Sequence, residues 1–128
     1  MKQLEFLVLL SGPLAVGKTT LREQLVLEHD FDYVRSGRYL LDLAEREALD
    51  GRRRGLQDLG DELDRKTDFK WLLEDVAMPG FQANPERSRW LVDAVRKPKQ
   101  VKHFRNAFGT AVLHVHLTAT EDVLKTRY

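Results

Sequence analysis

Cysteine is missing from the chain altogether, which excludes disulfides, thiolate zinc sites and cysteine nucleophiles together. An excess of charge of either sign is missing too. Lys and Arg total 21 against 20 Asp and Glu, a formal net charge of +1, so the bulk composition offers no argument for a nucleic-acid or membrane partner. No apolar run is long enough to span a bilayer: the N-terminal one, Leu4 to Leu10, is interrupted by Glu5 and stops at Ser11, Gly12 and Pro13. It has neither the longer apolar core nor the small-residue cleavage site of a secretory signal, and a cytoplasmic location is expected. Internal repeats and low-complexity tracts are also lacking. What remains is 128 residues, 42% of them hydrophobic, enough for one core and therefore for a single domain over residues 1–128.

The patterning along that domain alternates. Phe6 to Leu10 is short, continuously apolar and bounded by Gly and Pro, which predicts a buried strand. From Lys18 to about His29 the spacing of Leu21, Leu25 and Val26 predicts an amphipathic helix. A short strand is expected around Tyr33 to Arg35. Ser36 and Gly37 then open a helix carrying Leu40, Leu41, Leu43 and Ala44. The charged stretch Gly51 to Asp68 keeps helical spacing at Leu56, Leu59 and Leu63 and reads as a solvated helix. Another helix runs from Phe69 to about Met78 and is expected to end at Pro79 and Gly80. Trp90 to Val95 predicts a buried strand, Pro98 starts a helix with Val101, Phe104 and Phe108, and Gly109 caps it. Ala111 to Leu117 predicts the last strand, and Thr118 to Tyr128 the start of a further helix. Strands alternating with helices imply parallel pairing, hence a three-layer α/β domain with helices on both faces of the sheet.

Between the first strand and the first helix lie Gly12, Pro13, Leu14, Ala15, Val16, Gly17, Lys18 and Thr19. They satisfy the pattern G-x-x-x-x-G-K-S/T in the strand–turn–helix context that the chemistry requires. Glycine at the loop ends lets backbone N–H groups converge on one anion, and the helix that follows adds the positive end of its dipole. This is a P-loop. It implies a nucleoside triphosphate, with Lys18 on the β- and γ-phosphates and the Thr19 hydroxyl on Mg2+, and with Thr20 beside it. Phosphate binding does not itself select a reaction.

Three stretches extend the match: Gly12 to Thr19; Arg35, Ser36 and Gly37 through Leu41; and Leu91, Val92, Asp93, Ala94, Val95, Arg96, Lys97 and Pro98. On these the chain resembles the nucleoside and deoxynucleoside monophosphate kinases, a group related to adenylate kinase and dephospho-coenzyme A kinase. The resemblance implies a P-loop NTPase fold and ATP with Mg2+. It further implies γ-phosphate transfer to a nucleoside monophosphate or a related small phosphate-bearing acceptor. Residues 36–80 would be the helical acceptor-binding insertion, with Ser36, Gly37, Arg38 and Arg96 on the acceptor phosphate. Asp93 would support the magnesium shell together with Thr19, although Ala94 replaces the family's glycine. Lys18, Asp93 and Arg96 would carry the catalytic work. The closing stretch Val115, His116, Leu117, Thr118 and Ala119 through Arg127 and Tyr128 looks like the family's fourth strand and the start of its next helix, with Arg127, on the substrate side, where the lid's first arginine stands. The lid and the last strand would be absent and the domain C-terminally truncated, as in a fragment of a longer protein, a degenerate relative, or a subunit that another chain completes.

Other readings stand beside these. Arg38 can be a solvated helix-face charge, Asp93 a cap, and Arg96 half of a surface ion pair. Arg52, Arg53 and Arg54 suit a solvated loop. His114 and His116 share a strand face without a third metal ligand, and Trp71 and Trp90 suit the core. Gly60, inside a helical pattern, suggests a close approach or a kink near the acceptor side. A nucleotide-binding or regulatory module of a larger assembly is the alternative to a kinase.

Overall fold

A computed structural model describes residues 4–12, 17–47, 51–93 and 95–118. The strands are β1 (Phe6–Ser11), β2 (Asp32–Val34), β3 (Arg89–Val92) and β4 (Val112–His116). They form one sheet in the order β2-β3-β1-β4, every pairing parallel. Helix α1 (Lys18–Glu28) follows β1, and α2 (Ser36–Arg46) and α3 (Arg53–Thr67) follow β2. A turn and a half of wider π-helix (Leu72–Ala77) then runs into α4 (Met78–Ala83), and α5 (Pro98–Phe108) connects β3 to β4 through a short 3₁₀ turn.

Two hydrophobic clusters, one on each face of the sheet, make this a three-layer α/β domain. Leu7 and Leu9 of β1 pack with residues of α2 to α5, including Leu40, Leu59, Phe81 and Phe104. Val8 and Leu10 face the other way, against Phe31 and the partly buried Leu21 and Leu25 of α1. This alternation follows from the two-residue side-chain period of a strand. It explains why β1 is apolar throughout: both of its faces are covered. The two tryptophans are core residues, Trp71 at 4% and Trp90 at 2% exposure. Phe81 ties α4 to β3 and α5, with its ring 4.9 Å from that of Trp90 and 5.7 Å from that of Phe108.

Element boundaries depart from the sequence reading in places. The expected strand at Trp90 to Val95 stops at Val92, although the Val95 N–H still donates to the Leu10 carbonyl of β1 at 3.1 Å. β2 ends at Val34 and β4 at His116. The expected helix end at Pro79 and Gly80 is wrong: helical structure continues to Ala83. At Met78 the N–H still reaches the Leu73 carbonyl, the wider π spacing. The narrower pattern restarts there, so Pro79 occupies a first-turn position, where its missing N–H costs nothing. The helix also starts later than expected, since Asp68 and Phe69 both take positive φ, 53° and 66°. That reversal is uncommon for a bulky side chain. Helix α5 lies against it, with His103 Nε2 2.8 Å from the Asp68 carbonyl and Lys99 over the Phe69 ring. The helix expected over Thr118 to Tyr128 lies outside the described residues apart from Thr118, which is not helical.

Gly80 is a packing requirement. A Cβ placed on it would sit 3.0 Å from Val34 Cγ2, and Val34 is buried in β2. Alanine would gain about 1 kcal/mol of helix propensity, but overpacking a closed contact costs about 1–3 kcal/mol. Gly80→Ala should therefore lower the midpoint of thermal unfolding; a rise would mean that propensity outweighs the contact.

Candidate functional site

The register sets what meets at the carboxyl edge of the sheet. Leu9 is level with Val92 and His114, and Val92 with Val34. The next residues on each strand are thus Ser11 and Gly12, Asp93, Arg35 and Ser36, and His116. In open parallel sheets this edge is where ligands bind.

Gly12 leaves β1 with φ 137°, and Gly17 enters α1 with φ 100° and ψ 15°. Both conformations are open to glycine and costly for other residues. Lys18 is the first residue of α1 and Thr19 the second; the Lys18 side chain has no acceptor among the described residues. Thr19 and Thr20 are exposed. The first-turn N–H groups of α1 therefore sit beside a lysine at the sheet's ligand edge. Pro13, Leu14, Ala15 and Val16, the middle of the expected loop, lie outside the described residues, as do Ala94 and Arg127.

Asp93 stands directly after β3. Its carboxylate lies 3.5 Å from the guanidinium of Arg22, and its carbonyl accepts a 3.4 Å hydrogen bond from the buried Ser36 hydroxyl. Arg22 lies one turn beyond Lys18 on α1, on the same face, and that spacing is the signal that the sequence reading passed over. Arg22 also covers the Tyr33 ring, 5.0 Å from its centroid, while Arg35 lies 4.8 Å from the centroid and donates to the Tyr33 hydroxyl. Two guanidiniums on one aromatic ring form a cationic cluster beside Asp93, and none of its members was expected as a site residue.

On the other side of Asp93, Ser36 and Gly37 begin α2, and Ser36 is only 5% exposed. Gly37 is open: a Cβ on it would meet nothing within 4 Å. Arg38 is exposed and pairs with Asp42 one turn on, at 3.3 Å. Arg96 reaches across to α3, where its guanidinium lies 3.3 Å from Asp61, and Lys97 lies 3.4 Å from the same carboxylate. A Cβ on Gly60 would come within 3.3 Å of the Arg96 guanidinium, so the expected close approach exists and Arg96 makes it. Behind it, Gln100 accepts from the backbone N–H groups of Arg96 and Lys97 and donates to Asp64 at 3.0 Å. Asp64 is 2% exposed and takes a second bond, 2.7 Å, from the Trp71 indole. This buried network was not foreseen.

On β4, His114 Nε2 and His116 Nδ1 each lie 2.8 Å from Ser11 Oγ. Gly12 and Arg96 border a cavity of about 720 Å3 between α5 and this face of β4. Burial, the nearby Arg105 and then His116 hold the His114 imidazole below its ordinary value. Among the described residues no group of three or more His, Asp or Glu is placed to hold a metal, and no helix is long and apolar enough to cross a membrane.

No family model and no curated protein matches the chain. Among solved structures the fold is similar to a gluconokinase from Sinorhizobium meliloti 1021, with a TM-score of 0.50 and 16% identity. The fold is P-loop kinase-like. The match covers 98% of this chain and 65% of that one, so the chain spans less than two thirds of that kinase's length. At this identity the likeness is one of fold.

The depressed His114 has a consequence for stability. The unfolded chain takes up the proton near the ordinary value of 6.5, before the folded chain does, so acid favours unfolding there. Stability should fall as the pH drops through and below 6.5, and His114→Gln should lessen that fall in thermal melts at stepped pH. An unchanged pH profile in the variant would assign the effect to other groups.

Proposed function

We propose that the chain binds ATP with Mg2+ through Gly12 to Thr19 and acts as a P-loop kinase on a nucleoside or deoxynucleoside monophosphate, or a related small acceptor. The observation that carries this reading is the junction of β1 and α1. Gly12 and Gly17 take positive φ there, Lys18 opens the helix, and Asp93 stands at the end of the adjacent strand. A motif match alone would be weaker than a match whose two flanks have the required geometry.

In this reading Lys18 neutralises the β- and γ-phosphates, and first-turn N–H groups of α1 hold their oxygens. Thr19 and Asp93 are hard oxygen donors, and their number suits Mg2+, which keeps several waters and takes few protein ligands. The ion would supply charge neutralisation at the phosphates. Arg22 then serves as the counter-charge that holds Asp93 in place. Residues 36–80 form the acceptor-binding insertion, with the α2 N-terminus at Ser36 and Gly37 on one side and Arg96 on the other. Arg38 contributes from the same turn and Arg127 from beyond the described residues. Phosphoryl transfer requires positioning and neutralisation more than a dedicated base, and these groups fit that need. A further segment or another chain would cover the γ-phosphate and exclude water.

The second reading is a nucleotide-binding or regulatory module, and the Asp93–Arg22 pair favours it, since that pair draws on the carboxylate needed for the ion. Two measurements separate the readings. Lys18→Ala should weaken MgATP binding in calorimetry by roughly tenfold to a hundredfold, the worth of a charge-assisted hydrogen bond. Unchanged affinity would remove the P-loop reading. A bisubstrate analogue, two nucleosides joined by a phosphate chain, should bind more tightly than ATP because one ligand fills both sites. Arg96→Ala should erase that advantage and spare ATP. An analogue no better than ATP would leave the module reading as the better one.

A further inference from the structure

The cavity between α5 and β4 has a chemistry that the proposed phosphate loop and acceptor side leave unused. Pro98, Val101, Lys102 and Arg105 line it, and their spacing of three, four and seven places them on one face of α5. The opposite face of α5 buries Gln100 and Phe104 in the core. Across the gap, His114 and His116 project from the same side of β4, and Ser11 stands between them.

Charge in this cavity is one-sided. None of the lining residues among those described is a carboxylate. Arg96 and Lys97 at the mouth share Asp61, but among the described residues Lys102 and Arg105 have no acidic partner. Their charges add to one another without relief, an arrangement that favours an anion. The floor is different: Pro98 and Val101 present apolar surface there, over the buried Val95.

The hydroxyl between the two rings sets what they offer. A serine has one O–H to donate and lone pairs to accept. Each ring already spends one nitrogen on Ser11, and the other has no partner among the described residues. With both rings neutral, the arrangement that uses the Ser11 O–H has it donating to one ring and accepting from the other. In that arrangement the ring that accepts from Ser11 carries its own N–H on the free nitrogen, and that imidazole keeps a donor for a ligand.

We propose that this cavity binds an organic phosphate monoester, its dianionic head held by Lys102, Arg105 and a histidine N–H, and its apolar body on Pro98 and Val101. Two unpaired cations match a dianion better than a singly charged carboxylate. A space of about 720 Å3 is of the size that small organic ligands occupy. The site adjoins the triphosphate loop at Gly12 and the proposed acceptor side at Arg96, but its anchoring residues Lys102 and Arg105 take no part in the proposed transfer.

The experiment is a titration of the native chain with phenyl phosphate, read from the imidazole 15N signals of His114 and His116, in parallel with Lys102→Gln/Arg105→Gln. Both replaced side chains are exposed, so the double variant should fold. The expected result is a saturable shift of the two rings, with affinity at least about tenfold weaker in the double variant, a loss of one charge-assisted contact or more. MgATP affinity should be the same in both proteins. Inorganic phosphate, lacking the apolar body, and benzoate, lacking the second charge, should each bind more weakly than phenyl phosphate. No saturable shift, equal affinity in the double variant, or equal binding of benzoate or inorganic phosphate would overturn the proposal. Each of those results would leave the ATP reading intact, since that reading fails only on loss of its own test at Lys18.

Discussion

The constraint on which the structure turns is that β1 is enclosed on four sides. Its two edges are paired with β3 and β4, and its two faces are covered by helices. A strand so placed has to satisfy every backbone group through parallel neighbours and can tolerate almost no polar side chain. Parallel neighbours all end at the same edge. That single fact brings Gly12, Asp93, Ser36 and His116 together although they are far apart in sequence. It also explains why Ser11, 7% exposed, has to find its partners in the two β4 histidines.

A second dependence runs through Asp64. A buried carboxylate is costly unless its oxygens are hydrogen-bonded. Here one oxygen takes bonds from Trp71 and Gln100, while the other has no partner among the described residues. Gln100 passes the connection on to the backbone of Arg96 and Lys97. Helix α3 and the loop after β3 are thereby joined by a polar link through the core, reinforced at the surface by Asp61. A change in the pose of α3 would be felt directly at Arg96, because both ends of the link are held by direction-dependent bonds and not by apolar contact alone. Arg96 is thus both an exposed ion-pair partner and the end of a buried network.

Cations cluster on both sides of the sheet's carboxyl edge. Arg22 and Arg35, both on the Tyr33 ring, lie towards α1 and β2, and Lys102 and Arg105 lie towards β4. The whole chain is almost neutral, so these concentrations arise from placement. Acidic residues are spent elsewhere: Asp30, Asp42, Glu62 and Glu5 pair with Arg87, Arg38, Lys66 and Arg89. Apart from Asp42 these pairs lie away from the ligand edge, and on exposed surfaces such pairs stabilise the fold little.

The sequence by itself determined the end of β1 before Gly12, the start of α1 at Lys18, the alternation of elements and the parallel three-layer class. Those properties are local: side-chain period, glycine at positions of positive φ, and a lysine and threonine at a helix start. It also located Arg96 and Gly60, though not that they touch. Only the tertiary structure decided that Asp93 faces Arg22, that Ser11 lies between two histidines, and that Asp64, one acid among many in a charged helix, is buried. It likewise decided that helix continues past Pro79, because an i→i+5 turn shifts that proline to a position where no hydrogen bond is lost. The physical reason is the same each time. A periodic pattern says which face of an element is apolar, whereas the partner of a polar group depends on which other element arrives opposite it, and that is set by the packing of the whole chain.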